Sequence, residues 1–360
     1  MDNQATENSD RELERLNSRF AWFFAGLTGV LCLVLVGLAN DPWVLEGFRR
    51  AAWAQAAWKK QIPLICFQDH FLDSADRVMH QDLNTADYSR PGVCLIGASS
   101  LSWGLRLWDL PSAIRSRIHN FAIGGTNHGD QYELIRFLVE KEGMLRAGAD
   151  KSLVVIGISY HTAAHTDDQS PGIGTPESRG RWHRRGCYVV DGDGSISRSN
   201  QNPLWTEILN QRAKMAGILG ESVSLLYTPF KPVRKLDPEY SRAEWTRTLG
   251  PRWEGKIKKD VASFEAAVRY LHERGVPTLV MALPEGRWNE ETEYESVYMR
   301  AITATLAKYG VEILDLRKRI PDDDFADTVH LNPEGMAKFQ ALLMPRIMDH
   351  PRSTGGPVDR

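Results

Sequence analysis

Ser99, Asp327 and His330 are the residues whose types and spacing could together do covalent chemistry. Ser99 follows Val93-Cys94-Leu95-Ile96-Gly97-Ala98. Four apolar residues in a row read as a strand buried on both faces, and Gly97 then breaks the run. A serine just past such a strand lies at the carboxyl edge of the sheet, where open α/β sheets hold their ligands. Near the other end of the chain, Asp327-Thr328-Val329-His330-Leu331-Asn332 sets a carboxylate and an imidazole three residues apart. In an extended loop, side chains at that separation can face one another. A serine hydroxyl is a poor nucleophile until an imidazole accepts its proton. His330 would be that base, and Asp327 would fix its tautomer and stabilise the imidazolium. A serine after a strand is common on its own; the late Asp-His pair gives this one weight.

The elements that must position these residues follow an α/β rhythm. Strands are expected at 93–97, 119–123, 153–158, 276–283 and 311–316. Gly124-Gly125-Thr126-Asn127 closes the second, and a helix with Leu134, Ile135, Phe137, Leu138 and Leu145 at helical spacing follows it. Further helices are expected around 257–274, 291–309 and 334–348. This pattern predicts a three-layer α/β/α fold around a five-stranded, mainly parallel sheet. Residues at about 160–255 interrupt the rhythm and read as an insertion over the carboxyl edge of the sheet, where it would shape a substrate cleft. Within it, Asp-Gly turns suit a hairpin over 188–196, and Asn202-Pro203-Leu204 starts a helix running to about Leu226. The basic, aromatic run around Arg181, Trp182 and Arg184 is either a solvated loop or a contact for an anionic glycan or lipid headgroup.

Composition narrows the setting. A net charge of −2 and a pI near 6.6 argue against a dedicated nucleic-acid binder. From Phe20 to Ala39 no residue is charged, and about 20 apolar residues at about 1.5 Å each span a bilayer core of about 30 Å. The alternatives are a buried helix or a cleaved signal peptide with Gly37-Leu38-Ala39 as its weak cleavage site, but the run exceeds a usual signal core. Residues 20–39 are therefore expected to be a retained transmembrane helix in contact with the lipid bilayer. Arg11, Arg15 and Arg19 precede it and Arg49, Arg50, Lys59 and Lys60 follow, so the positive-inside rule hardly discriminates. The simplest arrangement is a cytoplasmic tail over 1–19 and a single-pass protein of the cytoplasmic (inner) membrane, with its large domain extracytoplasmic. Trp43, Phe48, Trp53 and Trp58, interleaved with basic residues, read as an interfacial helix or one packed on the domain. That helix and a connector occupy 40–90, the main domain 91–350 and a flexible tail 351–360. Cys32 falls in the span and Cys94 in the first strand, while Cys66 and Cys187 could bridge in an oxidising compartment. No cysteine or histidine spacing suits zinc, so neither a metal site nor a cofactor is expected.

The ordered set of short blocks resembles the SGNH (GDSL-type) hydrolase superfamily over residues 93–335. Gly97-Ala98-Ser99 is similar to its nucleophile block, Asn120 through Gly125 to its second block, and Asp327 with His330 to its last. The resemblance implies Ser99, Asp327 and His330 as a triad, with the amides of Ser99 and Gly125 as oxyanion donors. The third block usually offers Gly-x-Asn-Asp, whereas here the strand runs into Gly157-Ile158-Ser159-Tyr160-His161. Either Ser159 or His161 replaces that oxyanion donor, or the donor is missing. Ala98 also stands where soluble relatives commonly have Asp. The membrane-anchored branch, such as the D-alanylation protein of lipoteichoic acid and alginate O-acetyltransferases, is the more similar. That likeness implies O-acylation of an envelope or exopolysaccharide through an acyl-Ser99 intermediate, with a multi-span membrane O-acyltransferase as partner and a polysaccharide or other acceptor. A carbohydrate or lipid ester hydrolase is the second reading. The third is a non-catalytic SGNH-fold binding subunit of a polysaccharide-modifying complex, which the missing Asn favours. Ser100 and Ser102 read as turn or cap residues, and His119, His128 and His165 as surface or core histidines. Asp322, Asp323 and Asp324 read as a solvated acidic loop, Asn332 as a loop support and Pro333 as the start of the last helix.

Overall fold

Strands made only of apolar residues must be covered on both faces, and parallel pairing with helical crossovers achieves this. A computed structural model of the chain describes residues 2–39, 91–105, 110–141, 152–166, 188–190, 196–198, 237–289 and 292–348, with isolated residues between them. Seven strands are present among these: β1 (Val93–Ile96), β2 (Ile118–Asn120), β3 (Leu153–Ile158), β4 (Tyr188–Val190), β5 (Ile196–Arg198), β6 (Thr278–Ala282) and β7 (Glu312–Asp315). Five of them form one sheet in the order β2-β1-β3-β6-β7, every pair parallel. The other two, β4 and β5, are an antiparallel hairpin, as the Asp-Gly turn predicts. From β1 the chain moves to one side to form β2 and then crosses to the other to form β3. The carboxyl end of β1, and Ser99 with it, therefore lies where the strand order reverses, the usual ligand crevice of such sheets.

The helices are α1 (Asp2–Ala39), α2 (Ser99–Ser102), α3 (Ser112–Arg115), α4 (His128–Glu140), α5 (Pro238–Leu249), α6 (Trp253–Glu273), α7 (Glu293–Tyr309) and α8 (Pro333–Met348). Alternate strand residues face opposite ways. Cys94, Ile96, Val154, Ile156 and Val280 join one apolar cluster with α4, α6 and α7. Val93, Leu95, Val155, Leu279 and Met281 join a second with Leu101 of α2 and Met336, Phe339 and Leu343 of α8. Burying each such side chain contributes about 1.5–3 kcal/mol. The second strand, expected at 119–123, spans Ile118–Asn120, and past its end Phe121 and Ile123 still donate their amides to Leu95 and Gly97.

Within α1, no residue of Ser18–Leu38 is buried and the mean hydropathy is 2.2, which makes this helix long and apolar enough to cross a membrane. Trp43 is exposed; Phe48, Trp53, Trp58, Cys66, the 351–360 tail and most of the connector lie outside the described residues. At the two ends of the 160–255 stretch, a 3-10 helix over Tyr160–His165 and α5 bury Tyr160, Ala163 and Leu249 in the α4/α6/α7 cluster. Arg181, Trp182, Arg184, Cys187 and Leu226 lie outside the described residues. The helix expected from Leu204 begins there, its first amides accepted by the Asn202 side chain.

The acidic loop before α8 differs from expectation. Asp323 is exposed, but Asp324 is buried, because its carboxylate accepts a 2.6 Å bond from Lys338 and its carbonyl accepts the Asn332 amide at 2.8 Å. Gly335 makes that approach possible, since a Cβ there would lie 2.3 Å from the Asp324 carbonyl oxygen. Backbone cannot retreat as a flexible side chain can. Gly335→Ala is expected to lower stability by about 1–3 kcal/mol, read as a drop in the thermal midpoint, with the loop that carries Asp327 and His330 losing its anchor.

Candidate functional site

Ser99 owes its position to two glycines. A Cβ on Gly97 or on Gly157 would lie 2.9 Å from Leu101 Cδ2, so the two glycines let Leu101 settle closely against neighbouring β1 and β3. Leu101 fixes the single turn of α2, whose first residue is Ser99. Ala98 caps that turn in an extended conformation, its carbonyl accepting the amides of Leu101 and Ser102. The first amides of a helix have no acceptor within it, and Ser99 holds that place. The Gly124-Gly125 turn sits close by. Gly125 has φ +67°, a conformation glycine adopts without strain. Thr126 Oγ1 donates to the Ile123 carbonyl at 2.8 Å and approaches the Gly97 carbonyl at 3.4 Å, tying this turn to the segment before Ser99.

The acid and base come from a loop that closes on itself. Phe325 and Leu331 bridge antiparallel, and the Ala326 amide donates to the His330 carbonyl at 2.8 Å. Asp327 Oδ1 accepts the amides of Val329 and His330 at 2.9 and 2.7 Å. Its Oδ2 lies 2.7 Å from His330 Nδ1. His330 Nε2 in turn lies 2.9 Å from Ser99 Oγ, across 231 residues of sequence. A carboxylate against Nδ1 holds the proton there, which leaves the Nε2 lone pair facing the serine. Burial alone would raise the Asp327 carboxyl, but the hydrogen bond and charge of His330, with the two amides, hold it below its ordinary value. The Trp103 ring packs 4.4 Å from the His330 ring, and Trp288 Nε1 donates to the Thr328 carbonyl at 3.2 Å. Asn332 supports the loop as expected, donating to the Asp323 carbonyl and accepting the first amides of α8.

Ser159 and His161 follow β3, beside the Ser99 turn. Ser159 Oγ lies 2.7 Å from His161 Nδ1 and 3.2 Å from Glu285 Oε1. Tyr160 and Trp245 each pack 4.0 Å from the His161 ring. Burial, reinforced by the positive charge available to His330, holds His161 well below the usual histidine range, so its ring is neutral. Of the other histidines, His128 is a core residue bonded to Gln131 and Tyr298, His119 stacks on Phe121, and His165 is exposed. Sequence reasoning missed Trp103, Trp288 and Glu285. Trp103 stands four residues after Ser99, one helical turn on, and Glu285 stands just past β6; both placements were readable. Nothing local marks Trp288 as a partner of Thr328.

Ser99, His330 and Asp327 thus stand in one hydrogen-bonded line, a geometry in which an imidazole can accept a serine proton. Among the described residues, no group of three or more His, Cys, Asp or Glu side chains could hold a metal ion. In comparisons with known proteins, no family model and no curated protein matched the chain.

The depressed Asp327 carboxyl makes the loop sensitive to acid. A group whose folded value lies below its ordinary 3.8 contributes stability that is complete above that value and is lost as pH falls through the folded one. Urea unfolding between pH 5 and about 2 should therefore steepen below the ordinary aspartate value in the native chain. Asp327→Asn should remove that part of the slope; identical slopes would show that the Asp327–His330 pair contributes nothing.

Proposed function

We propose that the protein is a single-pass, membrane-anchored serine acyl-transfer enzyme, with its catalytic domain outside the cytoplasmic (inner) membrane. Its reaction is O-acylation, such as O-acetylation, of an envelope or exopolysaccharide. The observation that carries this reading is the line from Asp327 through His330 to Ser99, with contacts of 2.7 and 2.9 Å. The reading takes the helices on both faces of the sheet as the three-layer SGNH-like arrangement, and Ser18–Leu38 as the anchor.

Ser99 Oγ attacks the carbonyl carbon of a donor ester as His330 Nε2 takes the hydroxyl proton. Asp327 keeps the imidazole oriented and stabilises the imidazolium. Negative charge collects on the carbonyl oxygen, where the amides of Ser99 and Gly125 donate; losing one such donor typically costs about 100- to 1,000-fold in turnover. The C–O bond to the leaving alcohol breaks as His330 returns the proton to it, leaving acyl-Ser99. A sugar hydroxyl then gives its proton to His330 and attacks the acyl carbon, and Ser99 leaves reprotonated. A multi-span membrane O-acyltransferase would supply the donor. The second reading, ester hydrolysis, is favoured by one observation: the Asp327 side chain is 50% exposed, so the site is open to water.

Full-length protein in detergent, treated with a fluorophosphonate, should be labelled at Ser99. Ser99→Ala should abolish labelling, and Asp327→Asn should slow it by about 10,000-fold. Folded native protein that stays unlabelled would overturn the reading. With an aryl acetate as donor, the split between free acetate and acetylated oligosaccharide decides between hydrolysis and transfer.

A further inference from the structure

Three neighbouring strand ends each carry a polar side chain, Ser99 and Ser159 at one level and Glu285 two residues further along in register. Ile96 of β1 pairs with Ile156 of β3, and Ile158 of β3 pairs with Ala282 of β6. Ser99 and Ser159 each stand three residues beyond the Ile96–Ile156 pair, and Glu285 stands three beyond Ala282. The Leu283 amide still donates to the Ile158 carbonyl at 3.0 Å, so the strands remain side by side there. Ser159 Oγ sits between His161 Nδ1 at 2.7 Å and Glu285 Oε1 at 3.2 Å, and accepts the His161 amide at 3.4 Å. A hydroxyl has one hydrogen and cannot donate to both.

Two arrangements satisfy the contacts that Ser159 makes with its two neighbours. With Glu285 protonated, its O–H donates to Ser159 Oγ and the Ser159 hydrogen goes to His161 Nδ1, so the ring proton sits on Nε2. With Glu285 ionised, Ser159 donates to the carboxylate and His161 donates from Nδ1, so Nε2 is a bare lone pair. His161 Nε2 is buried and has no hydrogen-bond partner among the described residues. Tyr160 and Trp245 cover the ring faces, and the ring interacts electrostatically with both His330 and Asp327.

We infer that Glu285, Ser159 and His161 form a proton-switched relay beside the triad, in which Glu285 is a positioning residue that sets whether His161 Nε2 donates or accepts at the reacting centre. This rests on the acyl-transfer reading. In the donating state Nε2–H adds to the groups that meet negative charge on the acyl oxygen; in the accepting state that donor is lost and a buried carboxylate charge opposes the same oxyanion.

The charged surroundings leave Glu285 free to change state. Arg317, whose charge acts on Glu285, is already held by two bonds to Asp315 and by Glu295 of α7. Burial first, then the Glu295 and Asp315 charges, outweigh Arg317 and push the Glu285 carboxyl up to about 8. Tyr298 of α7 also faces it, while His165, His330 and Asp327 face His161, which stays neutral. Arg242 of α5 is engaged with the Trp288 carbonyl.

The test uses full-length protein labelled with ¹⁵N-histidine, titrated from about pH 6 to 10, a range that brackets the Glu285 transition. Long-range ¹⁵N–¹H spectra report the tautomer, and His161→Gln assigns the signal. His161 should carry its proton on Nε2 at neutral pH and move it to Nδ1 with a midpoint at about 8. Glu285→Gln, which cannot ionise, should hold one tautomer throughout, and Ser159→Ala should uncouple His161 from the Glu285 titration. In parallel, fluorophosphonate labelling should fall roughly tenfold above the Glu285 transition. That fall is smaller than the ~100-fold typical of removing an oxyanion donor outright, and Glu285→Gln should lack it. An invariant His161 tautomer in native protein, or the same transition in Glu285→Gln, would overturn the relay. Absence of labelling in every variant would instead reject the acyl-transfer reading, with the tautomer still deciding the relay.

Discussion

Leu101 rests against Gly97 and Gly157, and a Cβ at either would lie 2.9 Å from its Cδ2. From that contact follows the placement of everything that meets at the site. It sets the turn of α2 onto the ends of β1 and β3, and so aims the first residue of that turn, Ser99, out of the sheet where the strand order reverses. Larger residues at 97 or 157 would lift Leu101 and with it the nucleophile. A shift of about 1 Å at a reacting centre can cost on the order of 100-fold in rate, so the packing of one leucine carries functional weight.

The partner loop solves a different problem. Its four-residue span from Asp327 to His330 is held by its own amides, by the Phe325–Leu331 bridge and by Asp327 Oδ1. That makes the acid–base pair a local unit, already in the correct tautomer. Its docking against Ser99 is non-local: Trp288 holds Thr328, Asp324 is clamped between Lys338 and the Asn332 amide, and Gly335 lets α8 close onto it. Half of the site is therefore preorganised by short-range bonds, and half by the packing of helices that arrive last in the chain.

That division explains what could be read from the residues in order. Strands β1 and β3 are legible because an apolar run buried on both faces has no solvent-facing residues to blur it. Ser99, Asp327 and His330 are legible because their spacing is local or follows a strand. Asp324 was read as solvated, since three adjacent aspartates say nothing of Lys338 fourteen residues on. His128 has one partner close in sequence, Gln131, and one that only the fold supplies, Tyr298 at 170 residues' separation. Glu285 is the sharper case. Its sequence neighbours mark a turn after a strand, and only the pairing of β3 with β6 brings its side chain back to Ser159, at 3.2 Å.

Solvent access decides which chemistry such a site performs. Asp327 is half exposed while the His330 side chain is 17% exposed beneath Trp103. A carboxylate in that setting is well screened, so its chief contribution is to hold the imidazole in place rather than to lend it charge across a dry gap. The same openness bears on the fate of an acyl-serine. Water at about 55 M competes with any acceptor hydroxyl, and oriented binding can supply effective molarities of about 10⁵ M or more. Transfer therefore wins only if the acceptor is held at His330 Nε2 and its binding covers the Asp327 side. A sugar ring stacked near Trp103 would do both at once, whereas a small alcohol would leave the carboxylate wet and the ester open to hydrolysis.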